Sequence, residues 1–225
     1  MAKKLKKVLI VDDHPVVCKG LQLLLSPESG FTICGEADNI ADGLRLLKEL
    51  APDVLMTDLS LNGRNGLELI KEARQINPNV PILVFSIHGE DLYAERGLSA
   101  GANAYVMKQA DPDILLKALN KIVSGEIFLS EAMTNKMLRK MSGARVPVNE
   151  SCCVADMDKL SDRELEVFEL TGKGFSTKKI ARQLHLSVKT IETYKMHIKE
   201  KFGLADASEL THHAVHWVEV ASQNT

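Results

Sequence analysis

Short apolar runs alternate, through the first half of the chain, with segments whose apolar positions recur every three or four residues. Val8-Leu9-Ile10-Val11, Val54-Leu55-Met56 and Ile82-Leu83-Val84-Phe85 carry no interleaved polar residue, the pattern of strands buried on both faces of a parallel sheet. Phe31 to Ala37 and Ala104 to Met107 read as two further strands. Between them the helical spacing is carried by Pro15 to Leu25, Ile40 to Leu50, a stretch ending near Ile76, Glu90 to Ala100 and Pro112 to Ser124. Pro15 and Pro112 suit first turns, and Gly101 suits a helix end. Strands alternating with helices predict an α/β doubly wound five-stranded parallel sheet in the order 2-1-3-4-5.

The pattern changes beyond residue 128. Ser130 to Met141 reads as a connector helix with Met133, Met137, Leu138 and Met141 on one side as packing residues. Periodicity then fails between Ser142 and Asp156, where Gly143, Pro147, Asn149 and Ser151 mark a linker. After it, Ser161 and Glu164 form a capping box, Ser176 and Ser187 cap two more helices, Phe202-Gly203 closes the third, and Ala207 to Val218 forms a fourth. The expected organisation is an α/β domain over 1–128, a connector and linker over 129–156, and an all-α four-helix domain over 157–225.

Composition narrows the class. The chain has 225 residues, 45% hydrophobic and 26% charged, with a net charge of -2, a soluble globular profile. No apolar run approaches the roughly 20 residues of a membrane span. The lysine-rich start leads straight into the first strand without a cleavage pattern, which predicts a cytoplasmic protein with no membrane partner. Cys18, Cys34, Cys152 and Cys153 lack metal-ligand spacing and read as reduced thiols.

The polar residues then fall at corresponding places on the sheet. Asp12 and Asp13 follow the first strand, Asp58 ends the third, Ser86 ends the fourth and Lys108 follows the fifth. All lie at the carboxyl edge, where open α/β sheets bind ligands. A lone aspartate at a strand end is most often a cap, but five such groups at equivalent ends point to a site. Three converging carboxylates raise one another's pKa unless a cation neutralises them, and oxygen ligation favours Mg2+. A carboxylate is also a nucleophile toward phosphorus, which makes Asp58 a candidate acceptor and Lys108 its counter-charge. His14 reads as the residue opening the first helix rather than as a ligand. An aspartate-based magnesium phosphohydrolase would use the same cluster, but no insertion between strands is long enough to make a substrate cap.

Val8-Leu9-Ile10-Val11-Asp12-Asp13-His14, Asp58, Ser86 and Tyr105-Val106-Met107-Lys108 together resemble the receiver domain of bacterial response regulators, over roughly residues 5 to 125. The resemblance implies a flavodoxin-like fold and no turnover enzyme. It implies that Asp58 takes phosphate from a sensor histidine kinase, and that Asp12, Asp13, Asp58 and the Ser60 carbonyl hold Mg2+. Ser86 would bond the phosphoryl group, Tyr105 would swing inward to report it, and Lys108 would pair with it. The loop after the acceptor departs from the family's Met-Pro with Leu61-Asn62, and the missing proline predicts a looser loop.

Charge is uneven in the second half. Lys173 to Lys201 holds eight basic residues against Glu192 and Glu200, whereas Ser161 to Leu170 is acidic. The pair Thr177 to Leu184 and Ser187 to Phe202 fits a helix-turn-helix, whose second helix enters the major groove of double-stranded DNA. Lys189, Glu192, Thr193 and Met196 share one face of that helix, while Ile191, Tyr194 and Ile198 pack inward. Lys178, Lys179, Thr190, Lys195 and Lys199 complete the candidate contacts. Leu160-Ser161-x-Arg163-Glu164, Lys178-x-Ile180-Ala181, Ser187-Val188-Lys189-Thr190-Ile191 and Lys201-Phe202-Gly203-Leu204 resemble the LuxR-type helix-turn-helix. With the receiver, this is similar to the NarL/FixJ class of transcriptional regulators. That class implies phosphorylation-controlled interdomain contacts, homodimerisation through the region Ser208 to Trp217, and promoter binding. Thr177, Lys179 and Tyr194 depart from the common pattern, which keeps open a regulator that binds protein rather than DNA.

Overall fold

The computed structural model describes residues 5–142, 157 and 159–223. Two compact units divide between Leu138 and Arg139. In the first, β1 (Lys6–Val11), β2 (Phe31–Ala37), β3 (Val54–Thr57), β6 (Ile82–Ser86) and β7 (Ala104–Met107) form one parallel sheet in the order β2-β1-β3-β6-β7. Counted along the chain, these five strands stand 2-1-3-4-5. The expected doubly wound sheet is therefore present.

Successive side chains of a strand point to opposite faces, so each strand feeds two cores. Val8, Ile10, Val54, Met56 and Leu83 join Leu21 of α1 (Pro15–Leu24) and Leu115, Leu119 and Ile122 of α5 (Pro112–Val123) in one buried cluster. The alternate residues Leu9, Leu55 and Val84 are fully buried as well. Helices α2 (Ile40–Leu50), α3 (Gly66–Ile76) and α4 (Glu90–Ala100) complete the alternation. Register then places the site: Val11 pairs Thr57, and Thr57 pairs Val84, so the segments leaving β1, β3 and β6 emerge side by side.

The loop after β3 is tighter than expected. Ser60–Leu61 (β4) and Arg64–Asn65 (β5) pair as an antiparallel hairpin, joined by Asn62 at φ 44° and Gly63 at φ 78°. Two positive-φ residues make the turn that matches strand twist, and Asn-Gly is the pair that adopts it most readily. The Asn62 amide donates to Asp13 Oδ2 at 2.9 Å, and its side chain donates to the Asp38 carbonyl at 2.8 Å. The missing proline therefore does not loosen this loop, because asparagine and glycine supply a different constraint. Gly66 follows immediately, and a Cβ there would collide with the Asp58 carbonyl oxygen.

Helix α6 (Glu131–Ser142) forms where periodicity places it, but its packing is narrower. Met133 is 1% exposed, whereas Leu138 and Met141 are 58% and 83% exposed. The expectation of a methionine-packed side holds at Met133 and fails at those two, since a helix presents to a core only the turns that reach it. The linker stretch and the Cys152-Cys153 pair lie outside the described residues. Cys18 and Cys34 are free thiols.

The helical unit contains α7 (Asp162–Gly172), α8 (Thr177–Gln183), α9 (Val188–Phe202) and α10 (Ala207–Gln223), the last running past its expected end at Val218. Ser161 and Glu164 make the reciprocal capping box, and Ser176 and Ser187 cap α8 and α9. Phe168 meets Phe202 edge-on at 5.4 Å and Trp217 at 5.9 Å. Gly172 permits this close packing, because a Cβ there would strike the Ala214 carbonyl oxygen of α10.

These contacts predict that Gly66→Ala and Gly172→Ala each destabilise the protein by about 1–3 kcal/mol through overpacking. In α1, where nothing lies near Gly20, Gly20→Ala should instead stabilise by roughly 0.5–1 kcal/mol from helix propensity. Urea unfolding of the three variants checks both signs.

Candidate functional site

The carboxyl edge of the sheet gathers the predicted acids into one buried cluster. Asp58 is 1% exposed and Asp12 5%, and ligand atoms of Asp12, Asp13, His14 and Asp58 lie within 4.8 Å of one another. Such a cluster is costly without a counter-charge. Lys108, carried in by β7, places its ammonium 2.7 Å from Asp58 Oδ2 and 2.8 Å from Asp12 Oδ2. Burial alone would push this ammonium's pKa down, but Asp58 and Asp12 outweigh it and hold the pKa above its usual value.

The second Asp58 oxygen is also held. Oδ1 accepts from the Ser86 hydroxyl at 2.7 Å and from the Leu59 amide at 2.6 Å. Each donor follows from topology: β6 delivers Ser86 beside β3, and the turn out of β3 supplies the Leu59 amide. The carboxylate is thus oriented by three donors on two oxygens.

The acid set also fits a hard cation. Asp13 Oδ1 is buried without a hydrogen-bond partner, although His14 Nδ1 stands 2.9 Å away. That contact lacks hydrogen-bond direction, so one carboxylate oxygen remains for a ligand. Oxygen donors of this kind suit Mg2+ better than softer ions. His14 occupies the N-cap position of α1 without capping it through its side chain. Its Nδ1 lies 3.0 Å from Asp12 Oδ1 and 3.8 Å from Asp58 Oδ2. The helix-opening reading was correct for the backbone but did not foresee the ring among the acids.

Around this centre a second layer connects the loops. Tyr105 is 2% exposed and its hydroxyl donates to the His88 carbonyl at 2.8 Å. His88 Nε2 stands 3.0 Å from Ser60 Oγ, and its ring lies 4.7 Å from that of Tyr93. Ser60 is therefore near the site, with its side chain engaged by His88. Sequence reasoning did not single out His88; one histidine in a polar loop carries no pattern, and its neighbours come from distant segments.

In the helical unit, Ile191 and Ile198 are fully buried, and Lys189, Glu192, Thr193 and Met196 are exposed on α9. Lys178 and Lys179 are exposed on α8, with the Lys179 ammonium 3.6 Å from the Phe175 ring centre. Lys199 and Thr190 are half-buried, the latter hydroxyl 2.8 Å from that of Ser187. Lys195 turns back toward α8: half-buried, it donates to Thr177 Oγ1 at 3.3 Å, and burial pushes its pKa down despite nearby Glu192. Sequence spacing places Lys195 on the helix but not this inward bend.

Comparisons with known proteins agree with both halves. Residues 8–120 match the response regulator receiver domain, and residues 158–214 match the luxR family of bacterial regulatory proteins. The nitrate/nitrite response regulator NarL of Escherichia coli is 33% identical over 202 residues, 90% of this chain and 91% of the relative. The oxygen regulatory protein NreC of Staphylococcus aureus is 32% identical over 212 residues, 93% and 96% of the two chains. Among solved structures, RcsB of Salmonella enterica bound to promoter rprA is similar with a TM-score of 0.60 and 27% identity, covering 94% of this chain and 98% of that one.

Lys108 leads to a prediction with two parts. Because its folded pKa is raised, its stabilisation is complete below the ordinary lysine range and is lost as pH rises through the raised value. Lys108→Met should abolish that alkaline loss and cost about 3–5 kcal/mol at neutral pH, since two buried carboxylates lose their partner. Added Mg2+ should recover more stability in the variant than in the parent, as measured by urea unfolding with and without chelator.

Proposed function

The chain belongs to the two-component response regulators that join a receiver domain to a luxR-family helix-turn-helix, and we propose that phosphoryl transfer to Asp58 controls its binding to promoter DNA. These are transcription factors rather than turnover enzymes. The observation that carries the proposal is the held carboxylate: Asp58 receives Lys108 on one oxygen and Ser86 with the Leu59 amide on the other. The donors that orient the free carboxylate are already placed beside an acyl phosphate.

In the proposed reaction an Asp58 oxygen attacks the phosphorus of a phosphohistidine on the partner kinase. The P–N bond breaks and the imidazole leaves. Lys108 offsets charge on the phosphoryl oxygens, and Ser86 moves its hydroxyl from the carboxylate to one of them. Mg2+, held by Asp12, Asp13, Asp58 and the Ser60 carbonyl, would supply further charge neutralisation. Loss of the Ser86–Asp58 bond changes the loop that His88 and Tyr105 share. A switch of this kind needs only that phosphate favour one of two loop states.

The domain assignment follows: receiver 1–128, connector and linker 129–156, DNA-binding domain 157–225. On α9, Thr193 is assigned to a base edge and Glu192 to a cytosine or to Lys189, with Thr190 and Met196 beside them and Lys178, Lys179, Lys189 and Lys199 toward phosphates; Lys195 joins these lysines by releasing Thr177. A homodimer on two half-sites links two such contacts and raises affinity. Relatives support this, RcsB having been described as two dimers bound to two parallel DNAs. The reading implies a cytoplasmic protein, where a kinase partner and DNA would both be met.

Selection from a genomic DNA library by the full-length protein tests the reading. Acetyl phosphate with Mg2+ should increase enrichment of a two-fold symmetric site, and Asp58→Ala should not respond. Equal enrichment in all samples would remove the switch, and none at low salt would remove DNA binding. Thr193→Ala should relax base preference at one position by about 1–3 kcal/mol, whereas Lys178→Ala should weaken all sequences alike and lower the salt slope by about 1.

A further inference from the structure

The outer face of α10 carries ligand chemistry that the core of this unit does not use, within the region Ser208 to Trp217 that the family resemblance gives to the homodimer. Its inner face is made by Leu210, Ala214 and Trp217, which are 1%, 0% and 6% exposed. On the other side Glu209, His212, His216 and Glu219 are all exposed. Their spacings of three, four and three residues put them in one stripe on a helix of about 3.6 residues per turn. Neighbouring histidines have other duties: His213 packs near the Phe168 and Phe202 rings, and His197 Nδ1 stands 3.7 Å from Glu164. Among the described residues, His212 and His216 have no hydrogen bond or ion pair.

We propose that His212 and His216 form a two-imidazole site for a borderline divalent transition-metal ion such as Zn2+, Ni2+ or Cu2+. Helical residues four apart carry Cβ atoms about 5–6 Å from each other, and histidines at this spacing can share one ion. Imidazole selects these metals over Mg2+, so the site differs in chemistry from the carboxylate cluster of the first unit. Glu209 and Glu219, one turn beyond at either end, offset the ion's charge. Glu209 is anchored through Oε2, which accepts the Ala205 amide at 2.7 Å. Two imidazoles leave coordination positions for water or for a donor on another molecule. Binding requires neutral imidazole, so protons compete with the metal ion. The site is independent of whether α9 reads DNA.

The experiment titrates full-length protein with Zn2+ by calorimetry, and with Cu2+ followed by electron paramagnetic resonance. Wild type is compared with His212→Gln, His216→Gln and the double variant. These exposed changes should preserve the far-ultraviolet circular dichroism. Wild type should bind one equivalent more than the double variant, and either single change should weaken that equivalent at least tenfold. Bound Cu2+ should show two imidazole nitrogens that the double variant lacks. Metal taken by the Asp12–Asp13–His14 cluster is common to all four proteins and cancels. Identical isotherms, or a Cu2+ spectrum unchanged by the double substitution, would overturn the proposal. DNA binding by chelator-treated protein reports separately on the helix-turn-helix.

Discussion

A lysine held between two buried carboxylates is the constraint from which the first unit is built. Asp12 and Asp58 sit almost out of water, and neither tolerates that place unless charge arrives from elsewhere. Lys108 brings it, at 2.7 and 2.8 Å, from the last strand of the sheet. The three residues follow β1, β3 and β7; β1 and β3 are neighbours and β7 stands one strand beyond β6, so Lys108 reaches across the end of β6 and the charge balance depends on the 2-1-3-4-5 order. Ser86 and the Leu59 amide complete the orientation of Asp58 with the same economy.

The loops around this centre are restrained by different means. Asn62 and Gly63 close a hairpin whose first turn residue reaches back to Asp13 and Asp38. Gly66 lets α3 start against the Asp58 carbonyl. Across the site, His88 joins Ser60, Tyr93 and the Tyr105 hydroxyl. Chemistry at Asp58 is therefore bordered by two loops that contact one another through the His88 imidazole and Ser60, a route by which a local change can reach a larger surface.

The helical unit separates stability from recognition by face. Phe168, Phe202 and Trp217 fill its core, Gly172 lets α7 and α10 approach, and serines cap the starts of α7, α8 and α9. What remains outward on α9 is a short set of polar and flexible side chains on a rigid support. The histidine stripe of α10 is outward for the same reason, since its inner positions are taken by Leu210, Ala214 and Trp217.

Much of this was legible in order along the chain. Apolar runs identified the three central strands because burial on both faces leaves no room for polar residues, whereas the edge strand Phe31–Ala37 is largely half-buried and carries Thr32 and Glu36; the capping serines marked helix starts because their side chains bond amides only a few residues away. The acids and Lys108 could be placed at one sheet edge, since each follows a strand directly. Other features needed atoms that sequence separates. The Asn62-Gly63 turn was written locally, while its ties to Asp13 and Asp38 depend on the fold. His14 among the acids, His88 on Ser60 and Lys195 turned toward Thr177 depend on side-chain direction, which periodicity does not specify. Sequence alone determined which segments form the central strands and which helix starts are capped, because those are short-range demands. Tertiary structure decided which charges neutralise each other and which donors meet Asp58, because these distances are set by strand order and register.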